Sequence, residues 1–437
     1  MNRAMGVLLL SIALVGLVLV SGENSVSGQL PTEVSGVLTQ DTVWSREGSP
    51  YVFVGAVGVP AGITLTVEAG VTIDIGAFYL EVNGTLNVKG TNRDRVVLRA
   101  DVNPAYGAVV GWDAAVPVGA DHGYNNIVAA YGNPTINLEY AVFNNTSIFG
   151  QGIYSEAVVT VDGCTLLGSA VNVWGSTSIS NSYLTGAVVS RGNVSLSGNT
   201  FLNGIEVSGN FTVSANSITK NSGAAVTAWG SGAISGNIIA DSTYGVTQDD
   251  KTTLSATVER NLIKNNTYGV YLRDESDDTV IKDNTFNGNA VGIFNPTYRS
   301  TIVGNNFVGS MQFDVQAGVD AASAANNWWG TTESVEISIK IFDSNDDFSL
   351  GTIIYTPFLD SPNAYTPQTP EELMSPTPMA SPTGDVVFQS VNHSDLLSGF
   401  EVGVASAGVI TAVLVALLAV YAHRKKGLKS NRALSIP

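Results

Sequence analysis

The side chains best suited to acid–base chemistry lie close together in the second half of the sequence. They are Arg260, Lys264, Arg273 and Asp283. A basic side chain can abstract a proton from an acidic sugar while a bound cation neutralises the substrate carboxylate. These four residues are therefore catalytic candidates for a polysaccharide lyase. Their spacing also allows a structural role, because Arg260 precedes Asp283 by 23 residues and Glu259 precedes Lys282 by 23 residues, so each pair could form an ion pair between repeats.

A second polar group is a candidate metal site. Asp343, Asn345 and Asp347 carry the oxygen ligands that calcium prefers. The same residue types are also typical of a polar turn between strands. The chain has 3 histidines, 5 methionines and 1 cysteine, and these do not form the His, Met or Cys clusters that copper sites use. We therefore expect no cofactor, with calcium as the alternative.

Two further sets of residues suggest contact with sugars. Trp329 could stack on a sugar ring, as could Trp174 and Trp229, each of which precedes a glycine. Sequons for N-glycosylation stand at Asn83, Asn144, Asn145, Asn193, Asn210, Asn265 and Asn392. An Asn- and Thr-rich chain produces several sequons by chance, so these remain candidates.

Both ends of the chain carry targeting signals. Residues 1–22 have an early arginine, an apolar run and a small-residue end, as a signal peptide does. Residues 402–421 carry no charge and are long enough to cross a hydrocarbon core of ~30 Å. Basic residues follow this stretch at once. We predict a transmembrane helix over 398–422 and a cytoplasmic tail over 423–437, with the N-terminal domain outside the cell membrane.

The charge balance bears on partners. Of the 20 basic residues, six lie in the signal peptide or the tail, so the exported part has 14 basic and 37 acidic residues, a formal charge of −23. Such a surface repels nucleic acid, and we expect no nucleic-acid partner.

A repeat of about 20 residues determines the fold prediction. Segments such as LSGNTF, ISGNII and IKDNTF share an asparagine followed two residues later by a large apolar side chain. Stacked asparagine amides can bond to each other from coil to coil, and the apolar column can form a continuous core. The predicted ladder contains Asn181, Asn199, Asn216, Asn237, Asn261, Asn284, Asn305 and Asn326.

These columns predict an all-β protein with one right-handed parallel β-helix whose coils have about 17–24 residues. The apolar column is predicted to include Tyr183 and Trp328, which leaves Trp329 free to contact a sugar. A third column, Gly245, Gly269 and Gly292, predicts bends with positive φ.

The pattern resembles the β-helix repeats of the pectin-lyase-like superfamily, above all NosD-type periplasmic proteins and carbohydrate-binding or sugar-hydrolysing proteins. NLIKNNTYGVYL (261–272) and DNTFNGNAVGIF (283–294) are typical segments. The resemblance implies the fold, whereas its functions range from lyases, hydrolases and epimerases to binding and adhesive proteins. Residues 398–409 resemble the PGF-type sorting signal of archaeal surface proteins, with Ser398 in place of the proline.

The predicted organisation is a signal peptide (1–22), a β-helix ectodomain (23–358), a Pro/Thr/Ser-rich stalk (359–397), the transmembrane helix and the tail. We expect a membrane-anchored surface protein whose repetitive face binds polysaccharide or neighbouring envelope surfaces. The alternatives are a lyase, hydrolase or epimerase acting on acidic glycans, and a purely structural envelope component.

Overall fold

The computed structural model describes residues 30–100, 126–129, 134–144, 147–150, 157–220, 222–248, 254–273 and 278–368. The chain divides into a unit Met1–Pro376, which contains the β-helix, and a unit Thr377–Pro437. The predicted signal peptide, transmembrane helix and tail lie outside the described residues. Within those residues, no helix has the length and apolar character needed to cross a membrane.

The described chain winds as a parallel β-solenoid. Its first strands are β1 (Thr32–Val37), β2 (Thr42–Trp44), β3 (Tyr51–Val59), β4 (Thr64–Val67), β5 (Thr72–Gly76), β6 (Leu80–Val82), β7 (Thr85–Lys89) and β8 (Val96–Ala100). The middle strands are β9 (Asn126–Ala129), β10 (Thr135–Glu139), β11 (Ala141–Asn144), β12 (Ser147–Gly150), β13 (Ala157–Asp162), β14 (Thr165–Leu167), β15 (Val171–Ser180), β16 (Tyr183–Leu184), β17 (Val188–Ser197), β18 (Thr200–Phe201), β19 (Ile205–Ser214), β20 (Ser217–Thr219) and β21 (Ala224–Ser235).

The last strands are shorter and are joined by longer loops. They are β22 (Ile238–Ala240), β23 (Tyr244–Thr247), β24 (Leu254–Glu259), β25 (Leu262–Lys264), β26 (Tyr268–Tyr271), β27 (Val280–Lys282), β28 (Thr285–Asn287), β29 (Val291–Phe294), β30 (Thr301–Val303), β31 (Asn306–Val308), β32 (Phe313–Gln316), β33 (Ala322–Ser323), β34 (Ile341–Phe342) and β35 (Ile353–Ile354), with the helix α1 (Ser334–Ser338) before β34.

Each coil contributes strands to three parallel faces. Face 1 contains β24, β27 and β30, face 2 contains β25, β28 and β31, and face 3 contains β26, β29, β32 and β34. In the middle coils β15, β17, β19 and β21 each run from face 3 into face 1 without a break. The all-β prediction and the parallel β-helix are confirmed.

One apolar column runs through the centre of the coils. Ile263 pairs with Phe286, and Phe286 with Phe307. The Phe286 and Phe307 rings stack with centroids 5.1 Å apart, and the Trp329 ring stacks on Phe307 at 4.7 Å. The core therefore takes Trp329 and Leu184, both buried, where the sequence predicts Trp328 and Tyr183.

Buried asparagines join successive coils along the turn between faces 1 and 2. Asn261 donates from its backbone N and its Nδ2 to Oδ1 of Asn284, at 2.9 and 3.0 Å, and its Nδ2 also donates to the Ile234 carbonyl. The same pattern repeats from coil to coil along the turn. The backbone N–H and the side-chain amide of these asparagines are therefore paired without water. The ladder contains Asn199, Asn216, Asn237, Asn261, Asn284, Asn305 and Asn327.

Two predicted ladder positions are wrong by one residue. The register pairs Tyr183 with Thr200, which places Ser182 opposite Asn199, and Asn327 bonds to Asn305 in place of Asn326. Asn181 and Asn326 belong to the column before the ladder, where φ is 50° and 58°. Asparagine tolerates this left-handed conformation, so its presence in both columns misleads an alignment by residue type.

The segment after β35 packs back along the β-helix. Leu359 N donates to the Asn327 carbonyl, Asn363 Nδ2 donates to Asp283 Oδ1, and Asn306 Nδ2 donates to Thr366 Oγ1. Residues 359–368, which we call the strap, were expected to begin an extended stalk. They instead pack on the β-helix, because their backbone and side-chain groups satisfy polar groups of three successive coils.

Candidate functional site

Face 3 meets face 1 at a corner that differs between the two halves of the described chain. In the middle coils a single glycine bends the strand, namely Gly175, Gly192, Gly209 and Gly230, with φ between +85° and +148°. A Cβ at Gly192 or Gly230 would collide with the backbone of the preceding coil. The residue before each glycine therefore lies at a sharp outer edge, at a position repeated from coil to coil.

Three of these edge residues form a cluster that we call the tryptophan clamp. The guanidinium of Arg191 lies 4.9 Å from the centre of the Trp174 ring and 5.5 Å from that of Trp229. Arg191 Nη2 also pairs with Glu206 Oε1 at 3.1 Å. Cation–π contact and the ion pair hold the arginine in place. Ser208 lies between Arg191 and Trp229 in register and is 4% exposed.

Further along face 3, four half-buried rings form the tyrosine patch: Tyr244, Tyr268, Tyr271 and Phe294. Tyr271 and Phe294 stack at 4.7 Å, Tyr244 and Tyr268 stack at 5.7 Å, and Tyr244 meets Tyr271 edge-on at 4.9 Å. The guanidinium of Arg273 lies 5.6 Å from the centre of the Tyr271 ring, and its Nε donates to the Gln248 carbonyl.

Local sequence explains the patch. In the Tyr-Gly-Val-Tyr segment 268–271, Gly269 and Val270 are buried, so both tyrosines lie on the outside of the strand. Gly245, Gly269 and Gly292 do not have the positive φ that the sequence predicts. A Cβ at Gly269 would meet the Gly292 carbonyl at 2.5 Å and the Phe286 ring at 2.9 Å. These glycines are therefore needed for close packing between coils.

The clamp, at the corner of face 3, and the patch lie on neighbouring coils. The pairings β15–β17, β17–β19, β19–β21, β21–β23, β23–β26 and β26–β29 place them on consecutive coils of one face. Six steps separate Trp174 from Phe294, which is about 29 Å at ~4.8 Å per coil. Face 3 thus presents two aromatic clusters, one after the other along the helix axis.

The lyase candidates do not converge. Arg260 and Asp283 occupy the left-handed position before the Asn ladder, with φ of 52° and 54°. Lys264 ends β25 on face 2, and Arg273 lies at the edge of face 3. Of the two ion pairs that the sequence predicts between repeats, Lys282 and Glu259 form one, with their charged atoms 2.9 Å apart. Asp283 accepts a hydrogen bond from Asn363.

The other sequence candidates have structural surroundings. Trp329 is 4% exposed, so its ring is part of the core and cannot stack on a sugar. Asp343 is 3% exposed, and its carboxylate accepts bonds from Asn345 N and Ile353 N. The carboxylate of Asp347 accepts a hydrogen bond from Ser349 N within the same turn, and that bond lowers the pKa of the Asp347 carboxyl. The carboxylates of Asp343 and Asp347 are therefore used in two separate sets of local hydrogen bonds. The three candidates, which include Asn345, do not converge on one metal position.

Of the sequon residues, Asn144, Asn193, Asn210 and Asn265 are exposed and Asn83 is half-buried, whereas Asn145 and Asn392 lie outside the described residues. Asn193 and Asn210 are adjacent in register on face 1. Asn265 Nδ2 donates to Asp241, and Asn83 Nδ2 donates to Glu81.

Comparison with known proteins supports the fold assignment. Residues 143–341 match the family described as periplasmic copper-binding protein (NosD). No curated protein matches the chain. The match covers less than half of the chain but contains the whole clamp and the whole patch.

The chain is a right-handed β-helix repeat protein.

The match corrects the expectation of no cofactor, with calcium as the alternative, because the family is described as copper-binding and so points to copper. The described residues do not fit a copper centre. Cys164 is buried, burial raises the pKa of its thiol to about 12, and its Sγ accepts from Ala141 N. Met311 is exposed on a distant coil, and no group of three or more His, Cys, Asp or Glu is placed to hold a metal in the described ranges.

Sequence reasoning missed Arg191, Glu206 and the tyrosines of the patch. Trp174 and Trp229 are 55 residues apart, and no single motif contains both of them. The available signal was positional: Trp174, Arg191 and Trp229 each precede a corner glycine, and Tyr244 and Tyr268 each precede a Gly-Val pair.

Proposed function

We propose that this protein is an exported cell-surface β-helix that binds polysaccharide along face 3. The observation that carries the proposal is that two aromatic clusters, the tryptophan clamp and the tyrosine patch, lie on consecutive coils of this face. Trp and Tyr provide large, rigid contact surfaces at a low cost in side-chain entropy. Rings held by stacking against their neighbours are already ordered, so binding need not fix them.

The rival function is cleavage of an acidic glycan. A general base must lie within hydrogen-bond reach of the proton it removes, and a second group must stabilise the charge that develops. Arg260, Lys264 and Arg273 belong to three different parts of the coil, which supports binding over catalysis at that cluster.

The proposal includes anchoring by the predicted helix 398–422, with the β-helix outside the cell. The similarity to a family described as periplasmic supports an exported domain. Protease added to intact cells should release a soluble fragment that ends beyond the strap, because residues 359–368 are held by hydrogen bonds. Protection of the β-helix in intact cells, with digestion only after lysis, would reverse this topology.

The binding test uses the full chain purified in detergent and a panel of immobilised neutral and acidic glycans. We expect retention on at least one glycan, no new reducing ends and no unsaturated products. Trp174→Ala should weaken retention. Tyr365→Ala removes an aromatic side chain that is 80% exposed on the strap and should leave retention unchanged.

Two results would contradict the proposal. One is the absence of retention on every glycan in the panel. The other is product formation that disappears in Arg260→Ala or Arg273→Ala, which would favour a lyase.

A further inference from the structure

We infer that the ligand of face 3 is an uncharged polysaccharide that must be long enough to contact the tryptophan clamp and the tyrosine patch together. The inference rests on the proposed function and adds the charge and the minimum length of the ligand. Neither follows from the sequence motifs, because both depend on which residues meet across coils.

The charge argument begins at the clamp. Arg191 is the cation of the clamp, and the carboxylate of Glu206 lies 3.1 Å from its guanidinium. The pair offers donors and acceptors to hydroxyl groups while its charges cancel. An acidic sugar would have to displace Glu206 or approach it, and a carboxylate facing a carboxylate is repelled.

The charge of the whole domain acts in the same direction. The exported part has a formal charge of −23, which lowers the local concentration of a polyanion. At the patch, the guanidinium of Arg273 contacts the Tyr271 ring, and its Nε donates to the Gln248 carbonyl. Face 3 therefore favours a ligand recognised by its apolar ring faces and hydroxyl groups.

The length argument comes from the register. The clamp is centred between β17 and β19, and the patch is centred on β26. About three and a half coils separate the two centres, which is roughly 17 Å at ~4.8 Å per coil. A ligand that reaches both clusters gains the second contact as an intramolecular event, so its affinity exceeds that of a short ligand.

Face 1 shows that this arrangement is not a general property of the β-helix surface. On the outward positions of β15, β17 and β19 it carries Ser176, Asn193 and Asn210, followed by Ser178, Ser195 and Thr212. These side chains offer hydroxyl and amide groups without rings. On these three described strands, face 1 therefore provides no stacking platform for sugars, although it has the same coil spacing.

The experiment measures affinity for soluble oligosaccharides with the full chain in detergent. The probes are neutral glucan oligosaccharides, from disaccharide to decasaccharide in more than one linkage, and oligogalacturonates of the same lengths. We expect affinity for one neutral series to rise at least roughly tenfold once the chain spans the two clusters. Oligogalacturonates of equal length should bind more weakly at low salt.

Variants separate the two clusters. Trp229→Ala at the clamp and Phe294→Ala at the patch should each remove the dependence on chain length, leaving long ligands with the affinity of short ones. Tyr365→Ala should retain the full dependence. Thermal unfolding of each variant identifies loss of fold, and Trp174→Ala provides a second clamp variant if Trp229→Ala unfolds.

The outcomes distinguish the inference from the proposed function. Tighter binding of oligogalacturonates that is lost in Trp174→Ala would overturn the inference and leave polysaccharide binding on face 3 intact. Equal affinity for short and long neutral chains would also overturn it. Absence of binding to every oligosaccharide and every immobilised glycan would overturn both.

Discussion

The coils from β15 to β21 and the coils from β23 to β32 share one core and one Asn ladder, but they differ at the corner between faces 3 and 1. Glycines close this corner in the first group, whereas the second group has loops, such as residues 295–300. The tight corner places Trp174, Arg191 and Trp229 at its edge. In the looped coils, the rings that contact each other lie on the strands themselves.

This difference shows which positions of the repeat are constrained. Inward residues and ladder residues contact the coil on either side, so a change at one coil disturbs two neighbours. In the looped coils the length of the corner varies, from six residues (295–300) to eight (272–279), and loops tolerate such changes. Outward residues at the looped corner can therefore vary without disturbing the core.

The largest expected effect tests whether the core is uniform across the two groups. Phe286→Ala in the looped coils should lower the free energy of unfolding by about 3–5 kcal/mol, because it leaves a cavity and removes the stack on Phe307. Phe201→Ala is the matched change in the tight coils, where the ring is also fully buried. Chemical denaturation measures both. Unchanged stability in either variant would show that the column does not form the core there.

The next effect tests the corner. Gly209→Ala should cost about 2–4 kcal/mol, since φ is +85° and the new Cβ would lie 2.5 Å from the Gly192 carbonyl oxygen. Tyr298→Ala in the loop of the other group should change stability by less than about 0.5 kcal/mol, because its side chain is 75% exposed. Similar melting temperatures for the two variants would remove the distinction between the corners.

Much of this fold follows from the sequence, because the columns at Asn237, Asn261 and Asn284 repeat with one apolar residue at a fixed distance. Residue type misleads where one residue suits two roles, as at Asn181 and Asn326. The proposed binding face could not be derived in this way. Its contacts, such as Arg191 with Trp229, depend on register and on how far each side chain reaches across a coil.

A pH experiment tests the buried carboxyl of Asp314 in the looped coils. Asp314 lies beside Gly292 in register and is 3% exposed. Burial raises the pKa of its carboxyl to about 6 from an ordinary value of 3.8, although Lys340 opposes the shift. The folded state therefore binds the proton more tightly than the unfolded state. Stability should fall as the pH rises from about 4 to about 6 and then level off.

Asp314→Asn should remove this pH dependence. Relative to the wild type, the variant should gain about 1–3 kcal/mol between pH 4 and pH 7. Asp347→Asn is the control, because hydrogen bonds lower the pKa of that exposed carboxyl and reverse the sign. Parallel stability curves for wild type and Asp314→Asn would show that Asp314 does not titrate in this range.

The smallest effect concerns a column that both groups of coils share, the left-handed residue before the Asn ladder. Ala215 has φ of 54° there, and Gly236 occupies the same position one coil later with φ of 63°. A Cβ at Gly236 would have only Ala215 N within 4 Å, at 3.9 Å, so conformation and not space limits this site. Ala215→Gly should therefore raise the free energy of unfolding by up to about 1 kcal/mol, and Gly236→Ala should lower it by about 1 kcal/mol. The greater freedom of glycine in the unfolded chain opposes both effects equally, so the two shifts should be similar in size and opposite in sign. If both substitutions shift stability in the same direction, the column is governed by contacts between coils and not by backbone conformation.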